Sequence, residues 1–140
     1  MTLTPTISLV IDVAAAVIVN LQGKTLLSLR LPDAHQGGKW EFPGGKFETG
    51  ETADQALNRE LKEELGIDIL QTEPFIDLQY TYPEKTVNLH VLKVTSFTGN
   101  PKGLEGQTVE WVDVNKLTAL EFPDANYPIL EKLLTLLGTT

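Results

Sequence analysis

Residues 52–65 constrain the fold more than any other segment, because they have the pattern of an amphipathic helix with defined ends. Thr52 and Gln55 stand at the spacing of a capping box, in which each side chain accepts a hydrogen bond from the other residue's backbone amide. Gly66 follows as a residue that readily ends a helix. At about 100° per residue, one side of this helix is apolar and has to pack on another element. That apolar stripe consists of Ala53, Ala56, Leu57, Leu61 and Leu65.

Three carboxylates interrupt the apolar side of the helix. Glu60 and Glu64 project into the stripe, and Glu63 lies at its edge. Arg59 and Lys62 are expected to point to the opposite side. A carboxylate that faces a packed surface has to be paired or to bind a metal ion. Two interpretations follow: a divalent metal site, or an acidic helix that Arg59 and Lys62 neutralise. Ligands made only of oxygen favour Mg²⁺ or Mn²⁺ over zinc.

The composition limits the other kinds of site. The chain of 140 residues has no cysteine, which excludes disulfides, thiolate zinc sites, iron–sulfur clusters and cysteine nucleophiles. Its two histidines, His35 and His90, are too few for a multi-histidine metal site. The net charge is -8 and no basic patch is visible, so we expect no nucleic-acid polymer as a partner. A small anionic substrate stays open, because a bound cation reverses the local sign of the charge.

The N-terminal region lacks the pattern of a membrane span. Its most apolar run, residues 7–19, is too short, contains Asp12 and has no preceding basic region of the kind found in signal peptides. We therefore expect no membrane association and a cytoplasmic location. Residues 1–8 are predicted to be a flexible tail and residues 9–140 a single domain, which is long enough for one hydrophobic core.

Hydrophobic patterning predicts an α/β (α+β) fold with a mixed sheet and two helices. Strands are expected at residues 9–19, 24–30, 75–82, 86–97 and 108–114. Residues 31–50 and 99–108 are rich in glycine, proline and polar residues and are predicted to be loops, the first with one short strand at most. A closing helix is expected at residues 128–137. Its apolar face is predicted to hold Ile129, Leu130, Leu133, Leu134 and Leu137.

Two adjacent glycines, Gly44 and Gly45, precede the acidic helix within the run WEFPGGK at residues 40–46. Glycines in such a place either mark a turn or let the backbone approach a ligand and offer its carbonyl groups to a metal ion. Their position one short segment before the clustered carboxylates favours the second interpretation.

The segment 45–67 resembles the Nudix box, which reads Gly, five residues, Glu, seven residues, then Arg-Glu-aliphatic-x-Glu-Glu-x-Gly-aliphatic. The matching positions are Gly45, Glu51, Arg59, Glu60, Leu61, Glu63, Glu64, Gly66 and Ile67. Residues 33–51, 104–111 and 122–129 also resemble the MutT-like branch of this family, the 8-oxo-dGTP diphosphatases. The resemblance covers most of the chain and implies a Nudix-type α/β/α sandwich around a central mixed β-sheet. Asp124 departs from the pattern of that branch, which usually has a second proline at this position.

The resemblance implies an activity and a cofactor. In the MutT-like branch, water attacks the β-phosphorus of an oxidised dGTP and releases a nucleoside monophosphate and pyrophosphate. The implied cofactor is Mg²⁺, with Mn²⁺ as a substitute. Its implied ligands are the Gly44 carbonyl, Glu60, Glu63, Glu64 and Glu105. Glu60 is the first candidate for the general base and Glu105 the second, and Glu51 and Arg59 are expected to form an orienting ion pair.

The resemblance also implies three contacts with the nucleotide. Arg30 matches an arginine that contacts the nucleotide, with an ordinary charge at a strand end as the alternative. Phe42 is a candidate for the wall of the nucleoside pocket, or else a core aromatic. Asn126 would lie on the purine edge, where its amide can accept from the N7–H of 8-oxoguanine and donate to O6. The alternative for Asn126 is a polar residue at the start of the last helix.

Other functions stay open at this point. The first alternative is a Nudix enzyme for another substrate, such as a modified pyrimidine triphosphate or a nucleotide sugar, and the choice depends on Asn126 and its surroundings. A non-catalytic binding module usually loses box carboxylates, which this chain retains. A purely structural acidic protein is the last alternative. For either enzyme the partner is a small-molecule nucleotide, and we expect the protein to act as a monomer.

Overall fold

The computed structural model describes residues 9–138, which form seven strands, two α-helices and two 3-10 helices. The strands are β1 (Val10–Val17), β2 (Lys24–Leu29), β3 (Trp40–Glu41), β4 (Gly44–Lys46), β5 (Asp68–Thr81), β6 (Thr86–Thr98) and β7 (Val109–Asp113). The helices are α1 (Ala53–Leu65) and α2 (Tyr127–Leu137), and the 3-10 helices span Val114–Ala119 and Asp124–Asn126. The predicted tail at residues 1–8 lies outside the described residues.

The strands form a mixed sheet of four strands and an antiparallel sheet of three. The mixed sheet has the order β4-β1-β6-β5, in which β1 and β6 are parallel and the other two pairs are antiparallel. The second sheet has the order β3-β2-β7. Parallel strands need a long crossover connection, and the chain between β1 and β6 includes α1. The crossover thus brings the acidic helix back onto the mixed sheet.

Side chains that alternate across β1 divide the interior into two cores. Ala14 and Ala16 pack in one core with the apolar stripe of α1, whereas Ala15 and Val17 pack in the other with residues of α2. The stripe residues Ala56, Leu57, Leu61 and Leu65 are fully buried. Each buried leucine contributes about 1.5–3 kcal/mol relative to an exposed one. The two helices cover opposite faces of the mixed sheet, as the predicted sandwich requires.

The ends of α1 confirm the predicted capping box and stop. The backbone N–H of Gln55 donates to the Thr52 hydroxyl at 3.2 Å, and the Thr52 N–H donates to the Gln55 side-chain oxygen at 3.0 Å. Gly66 adopts φ +73°, a left-handed conformation that favours glycine, and its N–H donates to the Lys62 carbonyl at 3.0 Å. The local sequence therefore determines where this helix begins and ends.

Several predicted boundaries were wrong. β5 begins at Asp68 rather than residue 75, because register shifts between residues 69 and 76 break the alternation expected of a strand. Residues 31–50 contain two short strands, β3 and β4, instead of one at most. The first strand ends at Val17 rather than residue 19. Leu137, predicted on the apolar face of the last helix, is exposed at its final turn.

Within residues 9–138, no helix is long and apolar enough to span a membrane.

Candidate active site

Gly44 and Gly45 are required at their positions for two different reasons. β4 pairs with β1 so closely that a Cβ at Gly44 would lie 1.9 Å from the backbone oxygen of Ala14. A Cβ at Gly45 would instead lie 2.3 Å from the carboxyl carbon of Glu60 on α1. Gly44 therefore permits the strand pairing, and Gly45 leaves the space that the Glu60 carboxylate occupies. The predicted approach of these glycines to a ligand or metal ion stays a prediction.

Arg59 connects the loop before α1 to the carboxylates on the helix. Its Nε and Nη2 donate to the two carboxylate oxygens of Glu51 at 2.8 and 2.9 Å, and Nη2 also donates to the Lys46 carbonyl at 3.0 Å. Its Nη1 donates to Glu60 Oε1 at 2.9 Å. Hydrogen bonds from Arg59 and from the Glu48 backbone N–H lower the pKa of Glu51 to about 2. Glu51 and Arg59 thus form the expected ion pair.

The orientation predicted for Arg59 was wrong. Its guanidinium does not point away from the carboxylates but turns onto Glu60, and it lies 3.5 Å from Glu63. Only 22% of the Arg59 side chain is exposed. Lys62 does point away, with its ammonium 3.4 Å from Asp68. Arg59 therefore neutralises part of the acidic helix, as the non-metal interpretation proposed for it, while Lys62 takes no part.

Glu64 is a partly buried carboxylate at the end of α1. Burial raises its pKa well above the usual range, and the neighbouring carboxylates of Glu60, Glu41 and Glu105 raise it further. A carboxyl hydrogen bond with Glu60 has the same effect. Burial and the neighbouring negative charges thus destabilise the ionised form of Glu64, and a bound cation would stabilise it.

The five predicted metal-binding groups do not form a closed set of ligands. Gly44 and Glu64 line one cleft, and Gly45 packs on Glu60, so these groups are neighbours. The Glu63 side chain is 57% exposed at the side of Arg59. Glu105 lies on the 99–108 loop and shares a second cavity with Glu64. In residues 9–138 no three histidine, aspartate or glutamate side chains converge as a complete metal site.

The chemistry of these groups nevertheless fits a hard divalent cation. All the donors are carboxylate or carbonyl oxygens, which Mg²⁺ and Mn²⁺ prefer. The space beside Gly45 holds a carboxylate that a Cβ would displace. Burial and neighbouring carboxylates disfavour the ionised form of Glu64, and a bound cation would favour it. The Arg59 guanidinium contacts one oxygen of the Glu60 carboxylate, Oε1, at 2.9 Å.

A cleft of ≈ 270 Å³ extends from Gly44 and Glu64 to the 3-10 helix that contains Asn126. Asn126 is 9% exposed, and its Oδ1 accepts a hydrogen bond from the Phe42 backbone N–H at 3.4 Å. Asn126 stands at the N-cap position of α2, as the alternative interpretation expected, but its side chain makes no capping hydrogen bond. Its amide instead lines the cleft opposite the acidic helix.

Phe42 and Arg30 also line this cleft. The Phe42 ring is buried and stacks on Phe122 with ring centres 5.8 Å apart, so Phe42 is both a core aromatic and a wall residue. Arg30 follows the end of β2, as expected. Its Nε donates to the His35 carbonyl at 2.6 Å, and its Nη1 donates to Glu41 Oε2 at 2.5 Å.

The cleft is also lined by Glu41, His35 and Tyr82, polar residues that were not proposed as site residues from the sequence. Glu41 is a mostly buried carboxylate whose pKa lies above its usual value, because burial raises it more than the pairing with Arg30 lowers it. His35 Nδ1 lies 3.0 Å from Glu84, and within the described residues its buried Nε2 has no hydrogen-bond partner. The Tyr82 hydroxyl accepts the Ala125 N–H at 3.0 Å. The one sequence signal that could have indicated a role for Glu41 is its charge between two aromatic residues, Trp40 and Phe42.

Comparisons with known proteins agree with this geometry. Residues 14–132 match the family model for the NUDIX domain. The chain is 41% identical over 123 residues to the 8-oxo-dGTP diphosphatase of Escherichia coli (strain K12), which covers 88% of this chain and 95% of that protein. It is 38% identical over 128 residues to the CTP pyrophosphohydrolase of the same organism, which covers 90% and 93%. A solved structure of MutT, from work on Aliivibrio salmonicida and Vibrio cholerae, superposes with a TM-score of 0.78 at 38% identity, which covers 91% of this chain and 98% of that one.

Proposed function

We propose, because the chain belongs to the Nudix family, that it hydrolyses 8-oxo-dGTP to 8-oxo-dGMP and pyrophosphate. In this reaction the oxygen of water bonds to the β-phosphorus, and the bond from that phosphorus to the α–β bridging oxygen breaks. The bridging oxygen stays with the nucleoside monophosphate. Such an activity removes an oxidised nucleotide from the pool used for DNA synthesis. The observation that carries the proposal is the single cleft that joins the Nudix-box residues to Asn126.

The divalent cation is proposed to be Mg²⁺, with Mn²⁺ as a substitute, held by the Gly44 carbonyl and the carboxylates of Glu60, Glu63, Glu64 and Glu105. When bound, such a cation neutralises phosphate charge and lowers the pKa of the attacking water. Two observations support this assignment: all the donors are oxygen atoms, and burial and neighbouring carboxylates raise the pKa of Glu64. Glu63 and Glu105 lie at the edge of the cluster, so their part in binding depends on side-chain rotation.

Glu60 is proposed as the general base, with Glu105 as the alternative. The Glu60 carboxylate accepts a hydrogen bond from Arg59 Nη1 at 2.9 Å and occupies the space that a Cβ at Gly45 would fill. A base has to be held within hydrogen-bonding distance of the proton it accepts, and a residue on a rigid helix meets this condition better than one on a loop. Glu51 acts through Arg59, because its two hydrogen bonds orient the guanidinium that contacts Glu60.

Asn126 is proposed to select the oxidised base. Its Oδ1 is directed toward the Phe42 N–H and retains a second lone pair, while its Nδ2 supplies donors on the same edge. 8-Oxoguanine presents a donor at N7, where guanine presents an acceptor. A buried polar mismatch of this kind supports discrimination on the order of 10⁴. Arg30 is proposed to contact the phosphates and Phe42 to contact the nucleoside.

A pyrimidine triphosphatase is the second candidate function. The CTP pyrophosphohydrolase of Escherichia coli is similar to this chain at nearly the same identity and coverage as the diphosphatase. For either substrate, all the proposed groups come from one chain, which supports a monomer as the active form. A substrate taken from the nucleotide pool supports a location in the cytoplasm.

A hydrolysis screen with Mg²⁺ distinguishes the candidates. The protein is tested against 8-oxo-dGTP, dGTP, CTP, a modified pyrimidine triphosphate and a nucleotide sugar, and the products are identified by chromatography. We expect the highest kcat/KM for 8-oxo-dGTP, with pyrophosphate and the monophosphate as products. A higher kcat/KM for CTP would establish the pyrimidine function instead, and release of inorganic phosphate would contradict cleavage of the α–β anhydride bond.

A further inference from the structure

The Gln107 side chain joins two parts of the candidate site that are far apart in the sequence. Its Oε1 accepts the backbone N–H of Glu105 at 2.9 Å. Its Nε2 donates to the backbone carbonyl of Glu64 at 3.1 Å. One amide group therefore connects the loop that carries Glu105 to the last turn of the acidic helix.

The helix end supplies the acceptor for this connection. The last carbonyl groups of an α-helix lack partners within the helix. The Glu64 carbonyl accepts the Leu104 N–H at 2.9 Å as well as the Gln107 amide, and the Leu65 carbonyl accepts the Lys102 N–H at 3.0 Å. The 99–108 loop thus binds α1 through three hydrogen bonds, one of which comes from the Gln107 side chain.

The loop itself is folded tightly around Gln107. A Cβ at Gly103 would lie 1.9 Å from the Gln107 backbone oxygen and 3.2 Å from its side-chain Oε1. Gly106, between Glu105 and Gln107, has φ +82° and turns the chain so that the amide reaches back to the Glu105 N–H. Glu105, Gln107 and Glu64 all line one cavity of ≈ 160 Å³ beside the main cleft.

We propose that Gln107 is a positioning residue that holds Glu105 against Glu64, so that both carboxylates can bind one metal centre. This inference rests on the proposed function, because it treats Glu105 as a metal-binding group. Residues that orient metal ligands without touching the metal change affinity by about 10–100-fold when they are altered. We expect Gln107 to change metal affinity to the same extent, although it contacts the backbone of Glu105 and not the carboxylate that would bind the metal.

A double-mutant cycle on Mn²⁺ binding tests the proposal without any nucleotide. The variants are Gln107→Met, Glu105→Gln and the double variant, and the readout is Mn²⁺ affinity from electron paramagnetic resonance. Gln107→Met is expected to weaken binding by about tenfold in the otherwise unchanged protein and to have little further effect when Glu105→Gln is present. Gln79→Met is the matched control, since Gln79 makes one side-chain amide hydrogen bond, to Asn88, outside the cleft.

The outcomes separate this proposal from the proposed function. Unchanged Mn²⁺ affinity in Gln107→Met or in Glu105→Gln, or equal losses in both backgrounds of the cycle, would overturn the positioning role. The test measures Mn²⁺ affinity and does not use 8-oxo-dGTP hydrolysis. If the hydrolysis screen identified a different substrate, the proposed function would be refuted, but the positioning role of Gln107 would not.

The unaltered protein gives a second test that does not depend on how the variants fold. Mn²⁺ is expected to slow hydrogen exchange of the Glu105 amide, which donates to Gln107. Exchange that stays the same with and without Mn²⁺ would also overturn the proposal.

Discussion

Replacement of Gly45 by alanine tests the geometry of the site with the addition of one methyl group. The new Cβ would lie 2.3 Å from the Glu60 carboxyl carbon and 2.4 and 2.7 Å from its two oxygens, whereas ordinary contacts begin at 3.4 Å. The carboxylate therefore has to move by roughly 1 Å, and a misplacement of that size lowers a catalytic rate by about 100-fold. We expect this loss in kcat of Gly45→Ala at saturating Mg²⁺.

The same substitution is expected to leave the fold almost unchanged. The clash is with the free end of a flexible side chain, so the cost in unfolding free energy should be about 1 kcal/mol or less. Gly44→Ala is the matched control, because its Cβ would lie 1.9 Å from the Ala14 backbone oxygen, which cannot move aside without separating β4 from β1. That overpacking should cost about 1–3 kcal/mol or more in stability.

Pyrophosphate release and urea unfolding of the two variants provide the measurements. Gly45→Ala should be stable and nearly inactive, whereas Gly44→Ala should be less stable than both the wild type and Gly45→Ala. Full activity of a folded Gly45→Ala protein would refute the reasoning, since it would show that the Glu60 position seen here does not matter for turnover.

Three further predictions concern single side chains. Glu60→Gln should keep the fold, since glutamine retains an acceptor for Arg59, and lower hydrolysis by at least about 100-fold; unchanged turnover would contradict its role. Asn126→Ala should abolish the preference for 8-oxo-dGTP over dGTP in competition assays, and a surviving preference would show that other groups read the base. Glu51, whose pKa is lowered from 4.5 to about 2, stabilises the fold above about pH 4.5, and this stabilisation is lost as the pH falls through about 2. Urea unfolding of wild type and Glu51→Gln should therefore converge between those pH values, whereas a constant difference would argue against the ion pair.

The helix at the centre of the site could be predicted almost completely from the sequence. Its signals are local: the Thr52–Gln55 capping box, the Gly66 stop and the apolar stripe all lie within one segment, and each is formed as expected. Hydrophobic patterning alone predicted a mixed sheet with two helices. The arrangement of these elements as an α/β/α sandwich was predicted only by the resemblance to the Nudix family.

The error about Arg59 shows where angular arguments fail. The helical position of a residue fixes the direction of its Cα–Cβ bond, but a long side chain turns back along the helix surface. The Arg59 guanidinium thus reaches Glu51 before the helix and Glu60 beside it, although its Cβ leaves the helix on another side.

Residues missed in the cleft depend on contacts that no local pattern encodes. Glu41 contacts Arg30 because β3 pairs with β2, and His35 contacts Glu84, which is far from it in the sequence. The early start of β5 was missed for a related reason, because pairing with β6 maintains the strand through irregular register. In these places tertiary contacts decide the structure, and only the folded chain reveals them.

Diffraction from crystals grown with Mn²⁺ and a non-hydrolysable 8-oxo-dGTP analogue gives the most direct test of the proposed metal site. We predict anomalous peaks between the triphosphate and the carboxylates of Glu60 and Glu64, close to the Gly44 carbonyl. Mn²⁺ bound elsewhere, with these carboxylates still paired only to Arg59 and to each other, would contradict the conclusion that the acidic helix binds the catalytic cation.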